Sequence, residues 1–136
     1  MVEVLRRLFG SSTPDPAVRR LLDEIEAFRT LPAGWNSYRA PQISRIAIDT
    51  ALALVEIVVR RHAQLPSAAP MPFGGVSLTW DRPGDLEVQL LIDDESVDYN
   101  VARRGHPKVL EQGSIKASEM EQVERKLIDR YVVDKP

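Results

Sequence analysis

Hydrophobic positions in the first half of the chain repeat at helical spacing and predict two amphipathic helices. In the first, from about 16 to 29, apolar side chains recur every three or four residues with charged residues between them. Asp15 followed by Pro16 matches an N-cap with proline at the first helical position. The second begins after an N-cap at Ser44 and runs to about residue 63. It is apolar over more than one stripe, which predicts a central helix covered on more than one side.

The opening residues 2–9 also carry apolar side chains at roughly helical spacing, and residues 10–16 then break any helix. Two alternatives remain open for this stretch, a short docking helix or a frayed end. The chain is therefore predicted to be a single domain over residues 1–136, with residues 1–14 as a semi-detached N-terminal segment.

Beyond a proline-rich connector at residues 64–72, the hydrophobic period changes from helical to two, which predicts strands. Short polar turns separate these stretches, so the chain should form an antiparallel meander with one apolar face. Residues 108–111 are a candidate for a short fourth strand. The three main strands are predicted in the stretches GGVSLTW (74–80), DLEVQLLID (85–93) and VDYNVAR (97–103).

A last helix is predicted near the C-terminus, where Ser118 and Glu121 form a capping-box pattern. The element order is then α-α-β-β-β-α. That order predicts an α+β domain in which helices pack on one face of a small, three- to four-stranded antiparallel meander sheet.

The composition of 43% hydrophobic and 28% charged residues is that of a globular protein. A net charge of −2 provides no overall positive field, which disfavours nucleic acid and anionic lipid as partners. The absence of cysteine excludes disulfides and a cysteine nucleophile and is compatible with a reducing cytosol. The most apolar run, 46–59, contains Asp49 and Glu56 and is too short to span a bilayer. We therefore expect a soluble, cytoplasmic protein.

No pattern of catalytic or metal-binding residues stands out. His62 and His106 are the only histidines, and neither belongs to a metal-ligand spacing. The acidic run 93–95 lacks the glycine and the spaced ligands of a calcium loop. Gly74 and Gly75 lead into a strand, whereas a phosphate cradle needs glycines that lead into a helix. The sequence predicts no metal and no cofactor, and it favours a non-enzymatic protein.

The stretch LPAGWNSYRAPQIS, residues 31–44, is the strongest candidate for a site. Gly34 should end the first helix, and Trp35 should turn into the core toward the strand that ends at Trp80. This hypothesis makes Trp35 structural, whereas the alternative makes it part of a binding site. Under the first hypothesis Tyr38 and Arg39 remain candidates for recognition. The candidate binding residues are Trp35, Asn36, Tyr38 and Arg39.

The ordered motifs of residues 31–93 resemble those of a group of small, functionally uncharacterised bacterial proteins. The motifs are a Gly-Trp-Asp/Asn-x-Tyr-x-Ala-x-Pro-Ile stretch, a helix, a Gly-Gly turn, a strand ending in Trp and a Leu-Glu-Ile/Val strand. The chain departs from them at Asn36, where aspartate is commoner, and at Arg39, where glycine is commoner. The resemblance implies an accessory protein, sometimes found among mobile genes, and supplies no catalytic residue. The matching residues are Gly34, Trp35, Asn36, Tyr38, Ala40, Pro41, Gly74, Gly75, Trp80, Leu86 and Glu87.

Two functional hypotheses follow. The first is a non-enzymatic cytoplasmic accessory protein that binds a partner protein or a second copy of itself as a homodimer, because a meander has two edge strands. The alternative is a small-molecule or nucleotide-binding domain, with or without hydrolytic activity, that uses Trp35, Tyr38, Glu87 and the acidic hairpin.

Overall fold

The structure is a computed structural model that describes residues 2–10, 12–13, 15–106 and 108–134. Three helices precede the sheet, and a fourth follows it. A single 3-10 turn, Phe28–Thr30, extends α2, and a π-helical segment, Glu124–Val132, extends α4. The helices are α1 (Val2–Phe9), α2 (Pro16–Ala27), α3 (Arg45–Arg60) and α4 (Met120–Val123). The strands are β1 (Ser67–Pro70), β2 (Val76–Arg82), β3 (Leu86–Ile92), β4 (Ser96–Arg103) and β5 (Val109–Lys116).

The two predicted N-caps are confirmed. Asp15 begins α2, and its Oδ1 accepts a hydrogen bond from the Ala17 N–H at 2.8 Å. Ser44 begins α3, and its Oγ accepts one from the Ala47 N–H at 3.1 Å. Each cap satisfies a backbone donor that the first helical turn leaves without a partner. Buried residues line α3 on several sides, as its broad apolar surface predicted.

The predicted α+β class is confirmed, but the sheet is larger than predicted. All five strands lie in sequence order, β1-β2-β3-β4-β5, and each pair of neighbours is antiparallel. The predicted order α-α-β-β-β-α omitted α1, β1 and the full length of β5. The sequence SAAP of β1 is four residues long and has no period-two alternation of hydrophobicity. Strand β5 buries only Ile115, so its sequence shows no apolar face.

The apolar core lies between the helices and one face of the sheet. The strand register places Val76 opposite Ile92, Trp80 opposite Val88 and Val97 opposite Ile115. The opposite sheet face carries a row of polar side chains that crosses all five strands. In register, this row consists of Ser67, Thr79, Gln89, Asn100 and Gln112. The alternation in the sequence therefore predicted correctly which side chains of β2, β3 and β4 enter the core.

The docked-helix alternative for residues 2–9 is the one present in the structure. Helix α1 lies on α3, where Val4 is buried. The Arg7 Nε donates a hydrogen bond to Glu56 Oε1 at 2.8 Å, and Arg60 Nη2 donates to the same oxygen at 2.7 Å. Glu56 is buried, and pairing with two arginines offsets the cost of removing its charge from water.

The predicted capping box is wrong. Helix α4 begins at Met120, its N-cap is Glu119, and no side chain bonds the cap. Ser118 therefore stands one residue too early to cap this helix. Val123 of α4 and Leu127 and Ile128 of the π-helical segment are all buried, so this last helical stretch packs on the core. Within the described ranges, no helix has the length and apolarity required to cross a membrane.

Candidate functional site

Three connections meet at the N-terminal end of α3. They are the loop 31–44, the β1–β2 turn around Gly74 and the β3–β4 turn 93–96. The Ser44 N–H donates to the Gly74 carbonyl at 2.7 Å. The Ser44 hydroxyl donates to the carboxylate of Asp94. Alternate turns of an antiparallel meander lie at the same end of the sheet, and α3 begins there.

The loop 31–44 is held by its own hydrogen bonds. The Gly34 N–H donates to the Ala40 carbonyl at 2.7 Å and closes the loop, as in a compact Ω-type loop. The Asn36 Oδ1 accepts from the Tyr38 N–H at 3.0 Å, so this side chain holds the turn. Gly34 adopts a φ of +79°, a conformation that favours glycine. The expectation that Gly34 ends the helix is wrong, because the helical turns end at Thr30.

Trp35 is half-buried and packs against the core, and its Nε1 donates to the Pro41 carbonyl at 3.1 Å. This hydrogen bond therefore links Trp35 to Pro41 across the loop. Trp80 is fully buried, and its Nε1 donates to the Gln64 carbonyl at 2.7 Å. The two indole groups thus bond to different connections of the fold.

Tyr38 and Arg39 project from this hydrogen-bonded loop. Tyr38 is 81% exposed, the largest exposed fraction among the large hydrophobic side chains that the structure describes. Arg39 is exposed as well. Of the four candidate binding residues, Trp35 and Asn36 hold the loop, whereas Tyr38 and Arg39 are available for a partner.

A concavity of about 660 Å³ lies beside this loop. Its apolar side chains are Ile46, 50% exposed, and Phe73, 49% exposed, and the turn 93–95 forms its acidic wall. A second concavity of about 620 Å³ also includes Ile46 and continues toward Lys116. The sequence assigned Ile46 to the apolar surface of the second helix and assigned no role to Phe73, so it missed both. Neither residue has a local signal that distinguishes an exposed apolar side chain from a buried one.

The acidic turn is built around Asp93. Its Oδ1 accepts hydrogen bonds from the N–H groups of Glu95 and Ser96, each at 2.8 Å. Burial by itself would raise the pKa of Asp93, but these hydrogen bonds and one from the Ser96 hydroxyl outweigh it. The net result is a pKa below the ordinary aspartate value. Asp93 therefore orders the turn, and within the described ranges no His, Cys, Asp and Glu side chains form a group able to hold a metal ion.

Two glycines let the β1–β2 turn approach its neighbours closely. Gly74 has a φ of +93°, and a Cβ there would lie 3.1 Å from the Pro41 Cγ. A Cβ on Gly75 would overlap the Ile92 carbonyl oxygen and the Phe73 ring. Gly74 and Gly75 thus shape the entry to β2 and seat the turn against the loop 31–44.

The small-molecule alternative names four groups, and they do not line one concavity. The acidic turn lines the concavity of about 660 Å³, but Trp35, Tyr38 and Glu87 do not. Glu87 lies near the start of β3, opposite Asp81 and Ala102 in the register, next to the β2–β3 turn. That turn leaves the sheet at the end opposite the acidic turn.

The chain matches no family model, and the searches of curated proteins and of solved structures likewise found no match. The resemblance to small bacterial proteins stays a prediction from the motifs of residues 31–93.

Proposed function

We propose that the protein is a non-enzymatic binding protein that holds a partner protein at the N-terminal end of α3. We call this region the recognition surface and define it by Tyr38, Arg39, Ile46 and Phe73. The observation that supports it most is the exposure of three large apolar side chains, Tyr38, Ile46 and Phe73, on hydrogen-bonded backbone at one end of the domain.

These side chains have the character of interface anchors. Aromatic residues supply large contact areas with few rotatable bonds, and they are enriched where interfaces bury most of their energy. The hydrogen bonds of the loop order the Tyr38 backbone before binding, so association loses less conformational entropy. The other large hydrophobic side chains exposed in the described structure are Val109 and Leu110, on β5.

Charged groups surround the apolar centre. Asp94 and Glu95 lie on one side, and Arg45 also lines the concavity. A polar rim of both signs favours specific orientation of a partner more than general attraction of one charge type. This arrangement supports a protein partner, and the resemblance of residues 31–93 favours a cytoplasmic bacterial partner encoded by a neighbouring gene.

The experiment is affinity capture with co-expressed neighbouring gene products, using three versions of the full chain. The wild type should retain one stoichiometric partner. The double variant Tyr38→Ala/Phe73→Ser should lose it, because both anchors are removed from exposed positions. Leu110→Ser is the matched control, since Leu110 is similarly exposed, at 52%, but lies on β5. We expect this control to retain the partner.

Two outcomes would contradict the proposal. One is a partner that the double variant retains as well as the wild type does. The other is a protein that stays monomeric in light scattering and captures none of the neighbouring products.

Self-association through β5 is a second candidate, and a specific observation favours it. Strand β5 is the last strand of an open sheet, and Val109 and Leu110 are exposed at its start. Edge strands pair with other chains through unused backbone groups. A dimer that depends on this edge should be lost in Leu110→Lys and kept in Phe73→Ser, with the mass measured by light scattering.

A further inference from the structure

A different concavity, of about 680 Å³, lies at the C-terminal end of α3. The end of α1, the start of α2 and the connector after α3 form its walls. The apolar side chains that line it are Leu8, Phe9, Val18, Val59, Ala63 and Leu65. Its volume falls within the range of about 300–1,000 Å³ that is usual for small-molecule sites, which are mostly apolar with a few polar groups.

Around Glu56 the charged groups of this concavity leave a positive excess, and Asp15 supplies an opposing charge in the lining. Arg7 and Arg60 both line it, and both bond the same buried carboxylate, that of Glu56. Two guanidinium groups against one carboxylate leave one positive charge. The Arg60 side chain is 57% exposed, and it bonds Glu56 through Nη2, so other donors of its planar group remain for a second acceptor.

Asp15 is the acidic residue of the lining, and it is already engaged. Its Oδ1 accepts hydrogen bonds from the N–H groups of Ala17 and Val18 as the cap of α2. The positive end of the helix offsets part of the charge of Asp15. Its Oδ1 is committed to the cap of α2.

The backbone brings His62 into the lining in an unusual way. His62 has a φ of +52°, a left-handed conformation in which glycine is the usual residue at a helix end. The bonds His62 N–H to the Val59 carbonyl and Ala63 N–H to the Val58 carbonyl close the helix, at 3.1 and 3.0 Å. His62 thus contributes an imidazole to the lining that also contains Arg60.

We propose that this concavity binds a soluble anionic amphiphile, a carboxylate on an aliphatic chain. Arg60 and His62 hold the carboxylate by hydrogen bonds, and the apolar lining takes the chain. The site is separate from the recognition surface. Helix α3 has 16 residues, so its two ends lie roughly 24 Å apart.

The test is isothermal titration calorimetry of the full-length chain with monomeric decanoate. We expect one site with a dissociation constant between about 10 µM and 1 mM. Decanol has the same chain without the charge and should bind roughly tenfold or more weakly. In a parallel ¹⁵N NMR titration, the shifted amides should cluster at residues 8–9, 17–18 and 59–65.

Arginine variants separate charge from packing. Arg60→Gln should weaken decanoate binding roughly tenfold and leave decanol binding unchanged, and Arg60→Lys should restore part of the loss. Arg61→Gln is the matched control, because Arg61 pairs with Glu124 and Asp129 and does not line the concavity. We expect its affinity to stay at the wild-type value. Thermal unfolding verifies that each variant is folded. A further variant, Ala63→Phe, fills the concavity without changing its charge and should block the binding of both decanoate and decanol.

Several results would overturn the site. They are equal affinity for decanoate and decanol, amide shifts that map to the recognition surface, equal losses in the Arg60 and Arg61 variants, and no binding of decanoate. Binding to phosphatidylglycerol vesicles without binding of free decanoate would also overturn it, because the ligand would then be a membrane surface. None of these results bears on protein capture by Tyr38 and Phe73, so the two proposals fail independently.

Discussion

Trp80 on β2 and Trp35 in the loop before α3 make the same kind of polar contact in very different surroundings. Each indole N–H donates to a backbone carbonyl, that of Gln64 for Trp80 and that of Pro41 for Trp35. Trp80 is fully buried between the sheet and the helices, whereas Trp35 is half-buried in a loop that bonds itself. We infer that the sheet region stabilises the fold, whereas the loop region presents an exposed, hydrogen-bonded surface.

The physical origin of the difference is the number of elements that surround each ring. Trp80 stands opposite Val88 in a register that five strands share, and the helices cover that face. The hydrogen-bond partner of Trp35 is local, the Pro41 carbonyl of its own loop, and the ring packs only partly against the core. A ring surrounded by several elements loses all contact with water, and a ring in a single loop keeps part of it.

The largest expected effect is that of Trp80→Ala. Removing a fully buried tryptophan should lower the free energy of unfolding by about 3–5 kcal/mol, since it leaves a cavity and an unpaired Gln64 carbonyl. Urea denaturation followed by circular dichroism measures it. Trp80→Phe, the control, keeps much of the volume and should cost clearly less. A loss under about 1 kcal/mol for the alanine variant would contradict the comparison.

Gly75→Ala tests how tightly the β2 entry is packed. The added methyl group would overlap the Ile92 carbonyl, so we expect a loss of about 2–3 kcal/mol in the same urea experiment. Gly105→Ala is the control, because Gly105 has a φ of +81° and open space around it. It should lose only about 1 kcal/mol, from the backbone conformation. Equal losses would show that the β2 entry is not tightly packed.

Trp35→Ala should be milder than Trp80→Ala. We expect a loss of about 1–2 kcal/mol, because only part of the ring leaves water on folding and one exposed hydrogen bond is removed. The midpoint and slope of the same denaturation curve give the value. If the loss equals that of Trp80→Ala, the loop is as much a part of the core as the sheet is.

Asp93→Asn isolates the charge that holds the acidic turn. The carboxamide oxygen can still accept the turn hydrogen bonds, so we expect a loss of about 1 kcal/mol at pH 7. The folded pKa of Asp93 is depressed, so its stabilising contribution is present above the ordinary value of about 4 and disappears as the pH falls through the folded pKa. Denaturation of the wild type and the variant between pH 7 and pH 2 measures the difference in their free energies of unfolding. If this difference persists at pH 2, the charge of Asp93 is not its cause.

The smallest effect on stability is expected for Tyr38→Ala. Its ring is 81% exposed, so the free energy of unfolding should change by less than about 0.5 kcal/mol. The same variant should weaken partner capture. Stability that falls as much as in Trp35→Ala would show that Tyr38 belongs to the loop's packing and not to a recognition surface.

Much of the fold could be predicted from the sequence. Alternation in β2, β3 and β4 and the caps Asp15 and Ser44 are local signals, and the structure confirms them. The missed elements lack such signals, since β1 is too short to alternate and β5 lies at an edge. The capping box failed because a residue pattern does not determine where the first helical turn begins.

The candidate site was predicted less completely. Tyr38 and Arg39 were identified because they stand in a turn-rich stretch, and the structure places both at the surface. Ile46 and Phe73 were missed because an apolar residue is ordinarily predicted to be buried. Their exposure depends on how three connections, distant in the chain, meet at the N-terminal end of α3.

By itself, the sequence determined the class of the fold, the inward face of the central strands and the loop whose glycine and asparagine form a turn. These features depend on hydrogen bonds and hydrophobic periods that span only a few residues. Only the folded arrangement of helices and strands sets how deeply each tryptophan is buried, which apolar side chains stay exposed and where the concavity between α1, α2 and α3 lies. Burial is a property of the elements that come to surround a side chain, and residues far apart in the chain supply them.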